Sequence, residues 1–253
     1  MSFKVEEARR VLDAAAERGI YLRLIGGLAV KLHCPSASSG ALAREYGDVD
    51  FVGYSRQSKA IRQLFEDLGY LPNRRFNALH GRKRLMFFHP EGKCDVDVFL
   101  DVFEMCHKLD FDGRLHLDAY TISLAELLLS KLQVVQMNEK DLRDIFGLLV
   151  DHELGPAGDR EVIDEDYILA LCCDDWGWYR TATESIDRCL ASAPSYLEES
   201  LRSAVIAKLQ RLRQQMEQRP KSLRWRLRAR LGERVRWYEL PDEVTKPELT
   251  AEG

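Results

Sequence analysis

Residues 44–53 read REYGDVDFVG, and they place two carboxylates, Asp48 and Asp50, at the edge of an apolar run formed by Val49, Phe51 and Val52. Gly47 followed by alternating and β-branched apolar residues predicts a strand, in which side chains at i and i+2 lie on one face. Asp48 and Asp50 then sit side by side. Two like charges at that spacing repel, and partial burial worsens the repulsion unless a cation or a proton neutralises them. The stretch therefore predicts a neutralising partner.

A second acid-bearing strand stands downstream. KCDVDVFLD, residues 93–101, carries Asp95, Asp97 and Asp101 at alternating or near-alternating positions. Of the three, Asp97 sits centrally in the apolar run and is the expected neighbour of Asp48 and Asp50. Three clustered carboxylates offer hard oxygen ligands of the kind that hold Mg²⁺ or Mn²⁺, ions that take further ligands from water and from substrate phosphates. Upstream, LIGGLAVKLH reads as a strand, a glycine turn and a short helix ended by Pro35. Gly26 and Gly27 lie 22 and 21 residues before Asp48, where bare backbone N–H groups at a helix start could hold a triphosphate.

This combination resembles the nucleotidyltransferase superfamily related to DNA polymerase beta, whose motif is a Gly-Gly or Gly-Ser turn, an Asp-x-Asp strand and a later third acid. The matching segments, LIGGLAVKLH, GDVDF and VDVFL, span about residues 20–100. The helical continuation SLAELLLSKLQVVQMNEKDLRDIFGLL looks like that of the AbiEii-type toxins, extending the resemblance to about residue 150. It implies a mixed sheet flanked by helices and transfer of a nucleoside monophosphate from a nucleoside triphosphate to an acceptor hydroxyl. By the same resemblance Asp48, Asp50 and Asp97 hold the metal, and Gly26, Gly27 and Arg44 bind the nucleotide. Lys131 offsets phosphate charge, and Asp144, or alternatively Asp141, serves as the helical acid. Tyr46 stands where many relatives have Thr or Ser, which leaves the nucleotide preference open. The resemblance further implies an RNA acceptor, such as a transfer RNA, and a partner antitoxin.

The remaining sequence bounds these expectations. At 253 residues, 45% hydrophobic and 31% charged, the chain is long enough for one large domain or two smaller ones. No apolar run approaches the roughly 18 residues of a spanning helix, and the start of the chain reads as an amphipathic helix rather than a signal peptide, so a cytoplasmic location is expected. Six cysteines, at 34, 94, 106, 172, 173 and 189, form no CxxC pair and read as buried reduced thiols. His107 and His116 read as structural.

Val5, Ala8, Val11, Leu12 and Ala15 predict a first helix over 3–18 ended by Gly19, with another over 57–68 ended by Gly69 and strands at 84–89 and 94–102. The architecture expected is α/β, with a catalytic domain over 1–120 and an all-helical region over 121–253. Ser123 and Glu126 read as a capping box. LGPAGD, 154–159, reads as a linker. Residues 202–236 hold twelve Lys and Arg against Glu217 and Glu233, a local charge of +10 in a chain of net −4. With Trp225 and Trp237 among the arginines, this segment suits an RNA acceptor. The same residues also fit the solvated face of a core helix, because Val205, Ile206, Leu209, Leu212 and Met216 recur at helical spacing. A small-molecule acceptor and a noncatalytic nucleotide- or RNA-binding module are the competing functions.

Overall fold

A computed structural model describes residues 3–240. In chain order the first part comprises α1 (Phe3–Glu17), β1 (Leu22–Ile25), α2 (Gly26–His33), β2 (Val49–Gly53), α3 (Ser58–Asp67), β3 (Leu71–Pro72), α4 (Arg74–His80), β4 (Arg84–Phe88), β5 (Asp95–Leu100), β6 (Val102–Glu104) and β7 (Lys108–Asp110). The second part comprises α5 (Leu124–Leu132), α6 (Glu139–Asp151), β8 (Glu153–Gly155), β9 (Val162–Asp164), α7 (Glu165–Asp174), α8 (Trp176–Tyr196), α9 (Glu199–Gln218) and α10 (Leu223–Ala229). The architecture is mixed α/β: a five-stranded sheet flanked by helices, followed by a mainly helical C-terminal region.

The sheet runs β1-β2-β5-β4-β3, with β2 and β5 parallel and every other neighbouring pair antiparallel. Its two faces follow from the alternation of side chains. Phe51 of β2 and Phe87 of β4 meet Phe65 of α3, whose ring stacks on Phe87 at 4.5 Å. Full burial of each such ring contributes about 1.5–3 kcal/mol. Asp50 and Asp97 have the opposite parity and so point away from α3. One apolar cluster continues from Val5 through the sheet and α5–α9 to Met216.

The helix starts and stops follow local chemistry. Gly19, at φ +66°, ends α1 in the left-handed region that glycine adopts without strain. Ser123 and Glu126 form the expected capping box on α5, and Asn138 and Asp141 form a second one on α6. All six cysteines are buried and free.

Two features depart from the expected layout. The region beyond residue 120 is not helical throughout, because β8 and β9 pair in parallel with Glu153 opposite Val162. The segment expected as a linker begins inside that pair, with Leu154 buried, so its first residues belong to the core. The second is α4, which the charged run NRRFNALH conceals. Asn73 caps it by accepting from the Phe76 N–H, and buried Asn77 bonds both backbone groups of Met86, docking the helix on β4. Among the described residues, no helix is long and apolar enough to cross a membrane.

Candidate active site

Strand register assembles the acid face. Asp50 lies opposite Asp97 in the parallel β2–β5 pair and opposite Ile25 in the antiparallel β1–β2 pair. Neighbouring strands are about 4.8 Å apart, so the two carboxylates stand shoulder to shoulder on one face. Asp48, two residues before Asp50, extends the row outward and is exposed. Of the other acids of the later strand, Asp101 leaves the site, turning out of the strand at φ +64° to accept from the Ser55 N–H, while Asp95 keeps the face of Asp97 at the outer end of the register and Asp97 is buried at the centre.

This crowding has an electrostatic consequence. Desolvation, then Asp97 and Asp48, push the Asp50 carboxyl up to about 7, and Lys131 and Arg84 offset this only in part. Arg84, on β4, donates to Asp97 Oδ1 at 2.9 Å. Nothing in the sequence singled Arg84 out. Its place at the start of the apolar RLMFF strand was its only signal.

The glycine turn lies directly against Asp50. Gly26 has φ +77°, and a Cβ there would stand 3.1 Å from Asp50 Oδ2. At Gly27 a Cβ would sit 1.8 Å from the Arg44 guanidinium. Both positions thus require glycine, the first for conformation and approach, the second for the arginine that fills the space above it.

Arg44 reaches that position through the loop that precedes it. Ser36 donates from its N–H and hydroxyl to Asp151 of α6, and Arg143 of α6 donates to the Ala43 carbonyl. The loop is thereby laid along α6, and Arg44 meets Asp144 in a bidentate pair at 2.8 and 2.7 Å. Lys131 of α5 stands 2.8 Å from Asp144 Oδ2 and 3.4 Å from Asp141 Oδ1. Burial works against the Lys131 ammonium, but Asp144 and Asp141 outweigh it and raise its pKa. The two helical acids now differ clearly. Asp141 closes the α6 capping box, whereas Asp144, 1% exposed, holds both cations. Tyr46 stacks beneath the Arg44 guanidinium, 4.1 Å from ring centre to Cζ.

An open cleft of about 500 Å³ beside these groups is lined by Lys4, Arg44, Tyr46, Lys140 and Arg143, with Glu45 and Glu139. Every candidate site residue therefore belongs to one continuous arrangement of carboxylates, glycine turn and cations, Asp141 at its margin through Lys131. No protein-family model matches the chain, and no curated protein sequence matches it. The geometry stands alone.

The donor set fits a hard divalent cation: three carboxylates on one face, with Asp50 pushed up at their centre. Their oxygens are not drawn together to ligand spacing. Among the described residues, the metal-ligating group of three whose donor atoms all lie within 4.8 Å of one another is His33, His152 and Glu161. Mutual repulsion and the Arg84–Asp97 pair account for the open spacing of the aspartates.

The basic segment looks different in space. Arg202, Lys208, Arg211, Arg213, Arg219 and Arg224 form ion pairs with Glu199, Glu153, Glu165, Asp187, Asp166 and Asp175 respectively. Lys221 and Arg228 donate to backbone carbonyls. Arg226, Arg230, Arg234 and Arg236 have no ion pair among the described residues. The tryptophans pack: Trp225 lies edge-on to Tyr179, and Trp237 donates to Thr181 beside Trp176.

Proposed function

We propose that the protein is a metal-dependent nucleotidyltransferase that moves a nucleoside monophosphate from a nucleoside triphosphate to an acceptor hydroxyl. One observation carries this reading: carboxylates in register on two parallel strands, with a glycine turn and a pre-set pair of cations beside them. Each part meets a separate need of phosphoryl transfer, which depends on positioning and charge stabilisation more than on covalent chemistry.

Asp48, Asp50 and Asp97 are the residues that would hold Mg²⁺ or Mn²⁺. Such an ion supplies Lewis acidity and lowers the pKa of a bound oxygen nucleophile. The acceptor hydroxyl gives up its proton to solvent water, its oxygen forms a bond to the α-phosphorus, the bond from that phosphorus to the bridging oxygen breaks, and pyrophosphate leaves with the electron pair. Gly26 and Gly27 admit the phosphates close to backbone N–H groups, and Arg44 and Lys131 offset their charge. Asp144 has its oxygens committed to these two side chains, so its role here is to hold them in place rather than to take a proton.

The acceptor proposed is RNA, which the cleft lined by Lys4, Lys140 and Arg143 suits, with a protein antitoxin as the cellular partner and a cytoplasmic setting. Contact through 202–236 narrows to Arg226, Arg230, Arg234 and Arg236. The pairing of the other basic residues favours a second reading, a small-molecule acceptor that needs no basic tail.

Incubation with each labelled nucleoside triphosphate, Mg²⁺ and total RNA separates these readings. The proposal expects label in RNA with wild type and none with Asp50→Asn. Label on a small acceptor alone supports the second reading, and nucleotide binding without transfer to any acceptor refutes the enzyme assignment.

A further inference from the structure

We infer that His33, His152 and Glu161 form a second cation site, for Zn²⁺ or a similar borderline transition-metal ion, separate from the carboxylate face. The three ligands come from different elements: the end of α2, the C-cap of α6 and the loop before β9. One donor atom of each lies within 4.8 Å of the others. Two imidazoles and one carboxylate are a zinc-type donor set, with metal–ligand lengths of about 2.0–2.2 Å. Glu161, the exposed member, has the freedom to close that distance.

The hydrogen bonds around the two rings set them up for a metal. Thr121 Oγ1 donates to the Ile122 carbonyl at 2.7 Å, so its contact with His33 Nε2, also 2.7 Å, is one in which the ring donates. His33 then keeps a lone pair on Nδ1. His152 Nε2 faces the His33 carbonyl at 3.3 Å, while its Nδ1 faces the Glu161 carbonyl at 3.0 Å and Glu161 Oε2 at 3.9 Å. A neutral ring has a single N–H and satisfies only one of two carbonyl oxygens. Buried His152 is therefore left one positive partner short at Nδ1, where both the carbonyl and the carboxylate of Glu161 converge. A metal ion there takes the place of the missing proton, with Nε2–H held on a backbone carbonyl as in the outer shell of histidine metal sites. His33 also lines an open cavity of about 690 Å³ together with Asp118, Asp159 and Arg160, which gives the ion a path in.

The site joins two helices that serve the carboxylate face. α2 starts at Gly26 beside Asp50 and ends at His33, about 10 Å away at about 1.5 Å per residue. α6 carries Asp144 and is capped by His152. A bound ion pins their far ends to each other and to the β8–β9 loop.

The test uses full-length protein stripped with a chelator, titrated with Zn²⁺ by calorimetry and with Co²⁺ by visible absorption. One equivalent of Zn²⁺ is expected to bind, Co²⁺ to give the intense bands of low-coordinate geometry, and both to persist in Asp50→Asn, which disables the carboxylate face. Glu161→Gln should weaken Zn²⁺ binding by about tenfold or more, and His33→Gln further still. If His33→Gln does not fold, Glu161→Gln, an exposed position, decides. Failure of Zn²⁺ to bind the stripped protein at micromolar concentration overturns the inference. Unchanged affinity in Glu161→Gln, or loss of the equivalent in Asp50→Asn, overturns it equally.

Discussion

The carboxylate face of β2 and β5 and the basic helices α9 and α10 each gather charge of one sign, yet they dispose of it in opposite ways. On the sheet, burial first and then the neighbouring Asp97 and Asp48 push Asp50 up to about 7, which Lys131 and Arg84 offset only in part. Along the helices, Lys208, Arg211, Arg213, Arg219 and Arg224 reach acids that lie outside both of them. A fixed strand register leaves a carboxylate no other place to go. A long arginine on a helix reaches a partner several ångströms away. Unrelieved charge in a fold is therefore a better pointer to a ligand than charge density along the chain.

The largest effect that could break this contrast lies in the choice of third acid. Asp97→Ala should reduce nucleotidyl transfer by about 10³-fold or more, since a ligand to a catalytic cation contributes several kcal/mol. Asp95→Ala should stay within a few-fold of wild type. Steady-state rates of the two variants decide whether the register has been assigned correctly.

Next comes the cation pair held by Asp144. Asp144→Ala leaves Arg44 and Lys131 buried together with only Asp141, 3.4 Å from Lys131, as a counter-charge, and urea unfolding should show a loss of about 3 kcal/mol. Asp141→Ala removes a capping-box acid and should cost about 1 kcal/mol. Equal losses would erase the distinction between these two acids.

His107 joins the first half of the chain to α8 through Thr181 at 2.8 Å, its ring 5.0 Å from that of Trp178. Burial holds it down to about 4. The unfolded chain takes up this proton near pH 6.5 and the folded one only near 4, so the contribution is intact above 6.5 and falls as pH drops through that window. The wild type should lose roughly 2–3 kcal/mol between pH 7 and 4 from this group, and His107→Gln should flatten that part of the profile.

The smallest effect on stability concerns the four arginines without ion pairs. Changing Arg226, Arg230, Arg234 and Arg236 to Gln should move the unfolding free energy by less than about 0.5 kcal/mol per site. It should lower the slope of log RNA affinity against log salt by about 0.7–0.9 for each phosphate that is no longer neutralised. An unaltered slope would confine these helices to a packing role.

The glycine turn, β2 and the first helices were legible because their signals are local: an apolar period, a Gly-Gly pair, an i, i+2 acid spacing. Asp97 was chosen over Asp95 by its central place in the strand, but the pairing of Asp50 with Asp97 is a register fact that only the sheet displays. α4 escaped because its docking depends on Asn73 and Asn77 rather than on an apolar stripe. β8 and β9, three residues each, are too short to show alternation. The neutralisation of the basic segment was hidden because its partners are remote: Asp187, Glu165 and Asp166 lie 26, 46 and 53 residues from Arg213, Arg211 and Arg219.

The central claim is that the carboxylate face holds a divalent cation, and a thermal melt of stripped protein with and without Mg²⁺ tests it most directly. Wild type should gain stability with rising Mg²⁺ in proportion to the logarithm of its saturation. Asp50→Asn should start at least as stable as wild type without the ion, because one repelling charge is gone, and should gain little when it is added. Equal Mg²⁺ shifts in the two proteins would contradict the claim.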